Sequence, residues 1–149
     1  MLKQWIGKQS IPVTNVIERG AVKKFAEATG DLNPLYIDEG FAQKSRYQGL
    51  IAPPTFEKAL EYGQIEGLPY PKKGAIFGEQ TYFFNRPLKV GESISCYIKL
   101  EDVYEKESSK GTLTFLVLDR VGEDLQGERI YTARSIIVLT ETVRKELGV

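Results

Sequence analysis

The 149-residue chain contains no histidine and only one cysteine, Cys96. Without an imidazole it can form neither a Ser-His-Asp triad nor a Cys-His pair, since both rely on that ring to move the proton. One cysteine excludes an internal disulfide, and together the two shortages exclude the common zinc ligand sets. Any general acid or base must be a carboxylate, Lys, Tyr or the single Cys. Excess charge of one sign is missing as well, because Lys+Arg and Asp+Glu each count 20. Nucleic acids and anionic membranes attract a basic surface, so neither is expected as the main partner. No run of apolar residues exceeds four, against the roughly 20 needed to cross a bilayer. The start of the chain, Met1 to Lys8, has no apolar stretch of signal-peptide length. These shortages predict a cytoplasmic protein of one domain over residues 1–149.

The composition that remains is 42% hydrophobic and 27% charged, which suits a folded domain with its own core rather than a disordered chain. Helical spacing dominates the first half. Val22, Phe25, Ala26 and Thr29 share one helix face, and Gly30 stands where a C-terminal cap belongs. Asp38 is placed to cap a short helix over Glu39–Lys44. Pro53-Pro54-Thr55 opens a third helical stretch with Phe56, Ala59, Leu60 and Gly63 on one face. From about residue 75 the period becomes two. Phe77–Asn85, the series Ile94 to Leu100, Leu113 to Val117 and Ile130 to Val138 read as strands. Turn-rich Glu105–Gly111 and Gly122–Gly127 separate the last three. The expected class is α+β, with long antiparallel strands curled against a helix.

Gly30-Asp31-Leu32-Asn33-Pro34-Leu35-Tyr36 carries the functional signal. Read locally, the glycine ends a helix, Asp31 and Asn33 make side-chain turns, and Pro34 keeps Asn33 out of the helical region. The same residues resemble the signature Gly-Asp-x-Asn-Pro-(Ile/Leu)-His of the MaoC-like hydratase/dehydratases, which include R-specific enoyl-CoA hydratases and 3-hydroxyacyl-thioester dehydratases. The preceding Phe25-Ala26-Glu27-Ala28-Thr29 resembles the helix that leads into it. Gly49 to Phe56 resembles the entry to the family's central helix, and Arg86-Pro87-Leu88-Lys89-Val90-Gly91-Glu92 its turn into the long strands. The likeness covers roughly residues 10–140. It implies a single hotdog fold, a curved antiparallel sheet wrapped around a central helix, and an active site shared between two protomers or two fused halves.

Two departures bear on mechanism. In the family an Asp and a His hold and activate the water that adds to an enoyl thioester or leaves a 3-hydroxyacyl thioester. Here Tyr36 stands at the histidine position. A tyrosine, with an ordinary pKa of about 10, is a poor base at neutral pH, and losing effective acid–base catalysis costs about 10²–10⁴-fold. The second departure is Pro54, which falls where the family's glycine N–H polarises the thioester carbonyl. Proline has no N–H, so that donor is lost or shifts to Thr55. The resemblance therefore assigns Asp31, Asn33 and Tyr36 to the catalytic position and Pro54, Thr55 and Phe56 to substrate binding. No metal or cofactor is expected.

The pattern is nearest the N-terminal, non-catalytic type of the family. The favoured expectation is a subunit of a (3R)-hydroxyacyl-thioester dehydratase or enoyl-thioester hydratase. It binds the acyl chain of an acyl-CoA or acyl-carrier-protein thioester and relies on a catalytic MaoC-like subunit in a heterodimer. The alternatives are a stand-alone enzyme using Asp31 and Tyr36, and a non-enzymatic homodimer that only binds acyl thioesters. Cys96 reads as core, Tyr82-Phe83-Phe84 as core or dimer interface, and Lys72-Lys73 as a solvated loop. Arg134 is a candidate for a cross-strand salt bridge; Asp119 and Arg120 interrupt a strand and await partners.

Overall fold

Alternating apolar residues between 76 and 139 need a neighbour on each side to pair their backbone groups, and the chain supplies it by hairpins. The computed structural model describes residues 1–149. Its centre is one five-stranded antiparallel sheet, curved and ordered β1-β3-β4-β5-β2. The strands are β1 (Val13–Val16), β2 (Ile76–Phe84), β3 (Ser93–Ser108), β4 (Gly111–Glu123) and β5 (Arg129–Leu139). The β3–β4 turn is tighter than the expected Glu105–Gly111, because Ser108 already pairs with Gly111 and only Ser109 and Lys110 lie between. Strand β1 carries no sequence signal of its own length; its four residues are held by pairing with Ser93 to Cys96.

Ile94, Cys96, Ile98 and Leu100 of β3 share one face. Through the strand register they meet Leu118, Arg120 and Gly122 of β4, and then Tyr131, Ala133 and Ser135 of β5. The next row on β2 is Gln80, Tyr82 and Phe84. A bulge between Leu100 and Asp102 restarts the alternation, so that Val103 is buried in turn. Central β4 is buried on both faces. On the opposite face Asp119 and Arg134 pair directly across the strands, with two bonds of 2.8 Å. This is the cross-strand salt bridge expected of Arg134, and it gives Asp119 its partner. Cys96 is fully buried, as expected of a core residue.

Helix α1 (Arg19–Thr29) buries Val22 and Ala26 and ends at Gly30 in the left-handed conformation, φ 71°. Helices α2 (Pro34–Ile37) and α3 (Glu39–Gln43) follow, the second capped by Asp38 Oδ1 accepting from Phe41 N at 3.0 Å. A short α4 (Glu141–Glu146) closes the chain. No helix is long and apolar enough to cross a membrane.

The third helical stretch departs from expectation. Pro54–Ala59 forms a six-residue 3-10 helix, and Leu60 is already extended, with ψ 161°. Residues 60–75 contain no helix or strand. The cause is long-range. Asn15 of β1 clasps the Glu61 backbone from both sides, accepting from its N–H at 3.0 Å and donating to its carbonyl at 2.8 Å. Ser10 donates to the Tyr62 carbonyl at 2.6 Å. The Tyr62 hydroxyl takes the Glu57 carbonyl at 2.8 Å, an acceptor that a continuing α-helix would give to a backbone N–H. The long helix implied by the family likeness is thus replaced by one short turn and an extended strap.

Candidate functional site

Backbone rules alone assemble the Gly30–Tyr36 turn. After Gly30, Asp31 Oδ1 accepts from Asn33 N at 3.4 Å, and Asn33 Oδ1 accepts from Leu35 N at 3.0 Å, capping α2. Pro34 occupies the first helical turn, where no N–H is needed. Asp31 and Asn33 stay exposed. Tyr36, one helical turn on, points inward and is buried.

Tyr36 lines a cavity of about 420 Å³ together with Tyr47, Pro54, Phe84, Arg86 and Tyr131, among others. Burial pushes the Tyr36 phenol above its ordinary pKa of 10, and the nearby Asp31 carboxylate and Tyr47 push the same way. Tyr36 thus keeps its proton through the physiological range and offers a hydrogen bond, not a base. Two arginines border the cavity. Arg86 is committed to Glu92 through a two-pronged contact at 2.9 and 3.0 Å, and those bonds hold its pKa above the usual value. Arg46 is exposed, lies over the Tyr47 ring at 4.8 Å and donates to its hydroxyl at 2.6 Å.

The structure thus brings Tyr36 and Pro54 to one wall. Thr55 is exposed beside them and does not line the cavity. Phe56 turns into the core and meets Phe25 edge-on, ring centres 5.5 Å apart.

Sequence reasoning missed a polar network behind the cavity. Glu57 is only 1% exposed, and its carboxylate accepts from Tyr62 at 3.0 Å and Tyr82 at 3.2 Å. Tyr62 and Tyr131 hydroxyls lie 2.6 Å apart, and Cys96 Sγ is 3.6 Å from the Tyr131 oxygen. The hydroxyls of Tyr62 and Tyr131 and the Cys96 thiol thus form one continuous hydrogen-bonded chain ending on Glu57. Burial raises all four of these donors: the Cys96 thiol is pushed up to about 11 and Tyr82 up to about 12, and Tyr62 and Tyr131 also rise. The Tyr131 ring lies flat against Gly122, where any Cβ would collide with it. The one available signal was a glutamate following a core phenylalanine in an otherwise apolar helical face.

The Tyr82-Phe83-Phe84 cluster sits on β2, an edge strand. Ile76, Phe77, Phe83 and Phe84 are each about half exposed there. An apolar strand edge of this kind is a pairing surface for another chain.

Residues 4–133 match the family model described as FAS1-like, dehydratase domain region. A UPF0336 protein of Streptomyces avermitilis is 31% identical over 148 residues, covering 91% of this chain and 93% of that one. A 3-hydroxybutyryl-CoA dehydratase of Methylorubrum extorquens is 28% identical over 106 residues, covering 70% and 67%. Among solved structures, the HadBC (3R)-hydroxyacyl-ACP dehydratase complex of Mycobacterium tuberculosis superposes with a TM-score of 0.78 at 20% identity, over 93% of this chain and 100% of that one. This last likeness is one of fold.

Proposed function

We propose that the chain, which belongs to the FAS1-like dehydratase-region family and has the MaoC-like hotdog fold, is the non-catalytic, N-terminal-type half of a (3R)-hydroxyacyl-thioester dehydratase. It binds the acyl chain of an acyl-CoA or acyl-carrier-protein thioester, and a MaoC-like partner supplies the Asp-His pair. One observation carries the reading. The side chain at the family's histidine position, Tyr36, is buried at the cavity wall and holds its proton more tightly than a free tyrosine. Water addition or elimination needs a group that both takes and gives a proton near neutral pH. Tyr36 does not supply it.

Within this reading Asp31 and Asn33 hold the turn that presents Tyr36, and Tyr36 donates a hydrogen bond to the thioester. Pro54 walls the acyl cavity, Phe56 backs that wall from the core, and the donor lost at Pro54 shifts to the Thr55 N–H. Arg46 at the rim suits the phosphates that CoA and the carrier-protein arm share. The apolar edge of β2 is where a second hotdog continues the sheet.

Purification of the tagged chain from its native cells is the direct test. The expected result is a stoichiometric companion with an intact Asp-His motif, and hydration of trans-2-enoyl thioesters only by the pair. Turnover by the chain alone, falling on Asp31→Asn, supports the stand-alone enzyme instead. A homodimer that binds acyl-CoA without turnover supports the binding module. Tyr36→His in the isolated chain is expected to leave activity at least about 100-fold below an intact family member, because Pro54 also removes a carbonyl donor. Full activity from that single change overturns the role given to Pro54.

A further inference from the structure

The Tyr36 cavity has an open side and a closed one. Arg46, Phe84 and Asn85 are exposed where it meets solvent, whereas Ala52, Leu88 and Tyr131 are buried. Tyr131 is the largest of the buried three, and only 2% of it is exposed. It is also fixed from several directions. Its ring lies against Gly122, where any side chain on the neighbouring strand would collide with it. Its hydroxyl lies 2.6 Å from the Tyr62 hydroxyl and 3.6 Å from Cys96 Sγ. Tyr62 is held in turn, because it donates to the Glu57 carbonyl at 2.8 Å and to its carboxylate at 3.0 Å. Swinging the Tyr131 ring aside would take its hydroxyl away from both partners within the interior, which is costly.

A wall that does not yield acts as a stop. Each methylene that enters an apolar site is expected to raise affinity about fourfold. The gain ends where the chain meets a side chain that is already packed, since overpacking destabilises. The cavity holds about 420 Å³, toward the lower end of the roughly 300–1,000 Å³ of small-molecule sites. We propose that Tyr131 sets the longest acyl chain this site accepts, its ring closing the deep end. The inference rests on the reading that an acyl thioester occupies this cavity, and it names the residue that selects among acyl groups. Tyr36, bonded to the thioester in that reading, touches the part that acyl groups of every length share. It therefore does not discriminate between them.

The test measures binding of butanoyl-, hexanoyl-, octanoyl-, decanoyl- and dodecanoyl-CoA by calorimetry, below their micellar concentrations. The full-length protein is used, together with any companion it recruits. The readout is the ratio of affinities between successive lengths, which a general loss of binding leaves unchanged. Wild-type affinity is expected to climb about tenfold per two carbons up to one length and then to stop climbing. Tyr131→Leu, which removes the ring but stays apolar, is expected to carry the climb to the next acyl-CoA. The ratio across that step rises at least about tenfold. Tyr131→Met, more adaptable in a core, serves the same purpose where the leucine variant fails to fold. Tyr131→Phe keeps the ring and is expected to keep the wild-type maximum. The same maximum in the wild type and in the leucine or methionine variant overturns the inference and leaves acyl binding intact. So does a wild-type affinity that climbs through dodecanoyl-CoA, or a shift in Tyr131→Phe as large as in Tyr131→Leu. Absence of saturable binding at every length overturns the inference and the acyl-binding reading together.

Discussion

Asp31 and Glu57 are two carboxylates in the two segments that carry the family likeness, and the structure treats them in opposite ways. Asp31 sits in solvent and organises three or four residues of its own turn. Glu57 is buried and gathers Tyr62 from five residues away and Tyr82 from 25 residues away. The first is a product of local backbone chemistry, which any chain with these seven residues would reproduce. The second exists only because strand, strap and sheet close around it. A motif that looks functional can therefore be structurally light, while an unmarked glutamate organises the interior.

The largest test of this contrast is to remove each carboxylate. Glu57→Ala removes the carboxylate acceptor of the half-buried Tyr82 hydroxyl and one of the acceptors of Tyr62, and is expected to lower unfolding free energy by about 2 kcal/mol, read by urea denaturation. Asp31→Asn is expected to change it by less than about 0.5 kcal/mol. Equal losses would erase the distinction.

The next effect is on pH dependence. Cys96 and Tyr82 have folded pKa values raised to about 11 and about 12. Their protonated forms are favoured by folding, so this stability is fully present below the unfolded values of about 9 and 10. It is lost as pH rises through the folded ones. Each such proton contributes a slope of about 1.4 kcal/mol per pH unit inside its window. The urea midpoint is expected to fall steadily above pH 9, and Cys96→Val to flatten the part between pH 9 and 11. A midpoint constant from pH 8 to 11 would show that the network is open to water.

A third variant sharpens the local side. Asn33→Ala removes the cap of α2 and is expected to cost about 1 kcal/mol in urea unfolding. It should leave the Glu57 network, and so the alkaline profile, unchanged.

Legibility in the sequence followed the range of the interactions. The face of α1, the Gly30 cap, the Asp38 cap and the four long strands were readable, because each depends on spacing or on a side chain bonding its neighbours. The salt bridge of Arg134 was anticipated, but its partner needed the β4–β5 register. Strand β1 and α4 were not seen. One is four residues long and exists by pairing with β3; the other is a six-residue helix docked on the sheet. The extent of the third helix was misjudged, since Phe56, Ala59, Leu60 and Gly63 do have helical spacing. Periodicity cannot report that Asn15 and Ser10 will hold the backbone extended from Glu61 onward.

Within the candidate site, Tyr36 and Pro54 were named from sequence and share a cavity wall. The Tyr62–Tyr131–Glu57 chain was not, because it is defined by contacts between distant segments.

The missing histidine was fully determined by the sequence, and with it the exclusion of imidazole chemistry. The turn that places Tyr36 in its stead was determined too, since its hydrogen bonds run between residues two apart. What Tyr36 became was a tertiary matter. Burial, with the Asp31 charge and Tyr47 beside it, raises its pKa and leaves it a donor. The same holds for Glu57. Sequence supplies it beside Phe56, but its burial against Tyr62 and Tyr82 lies in how strap and sheet close around it.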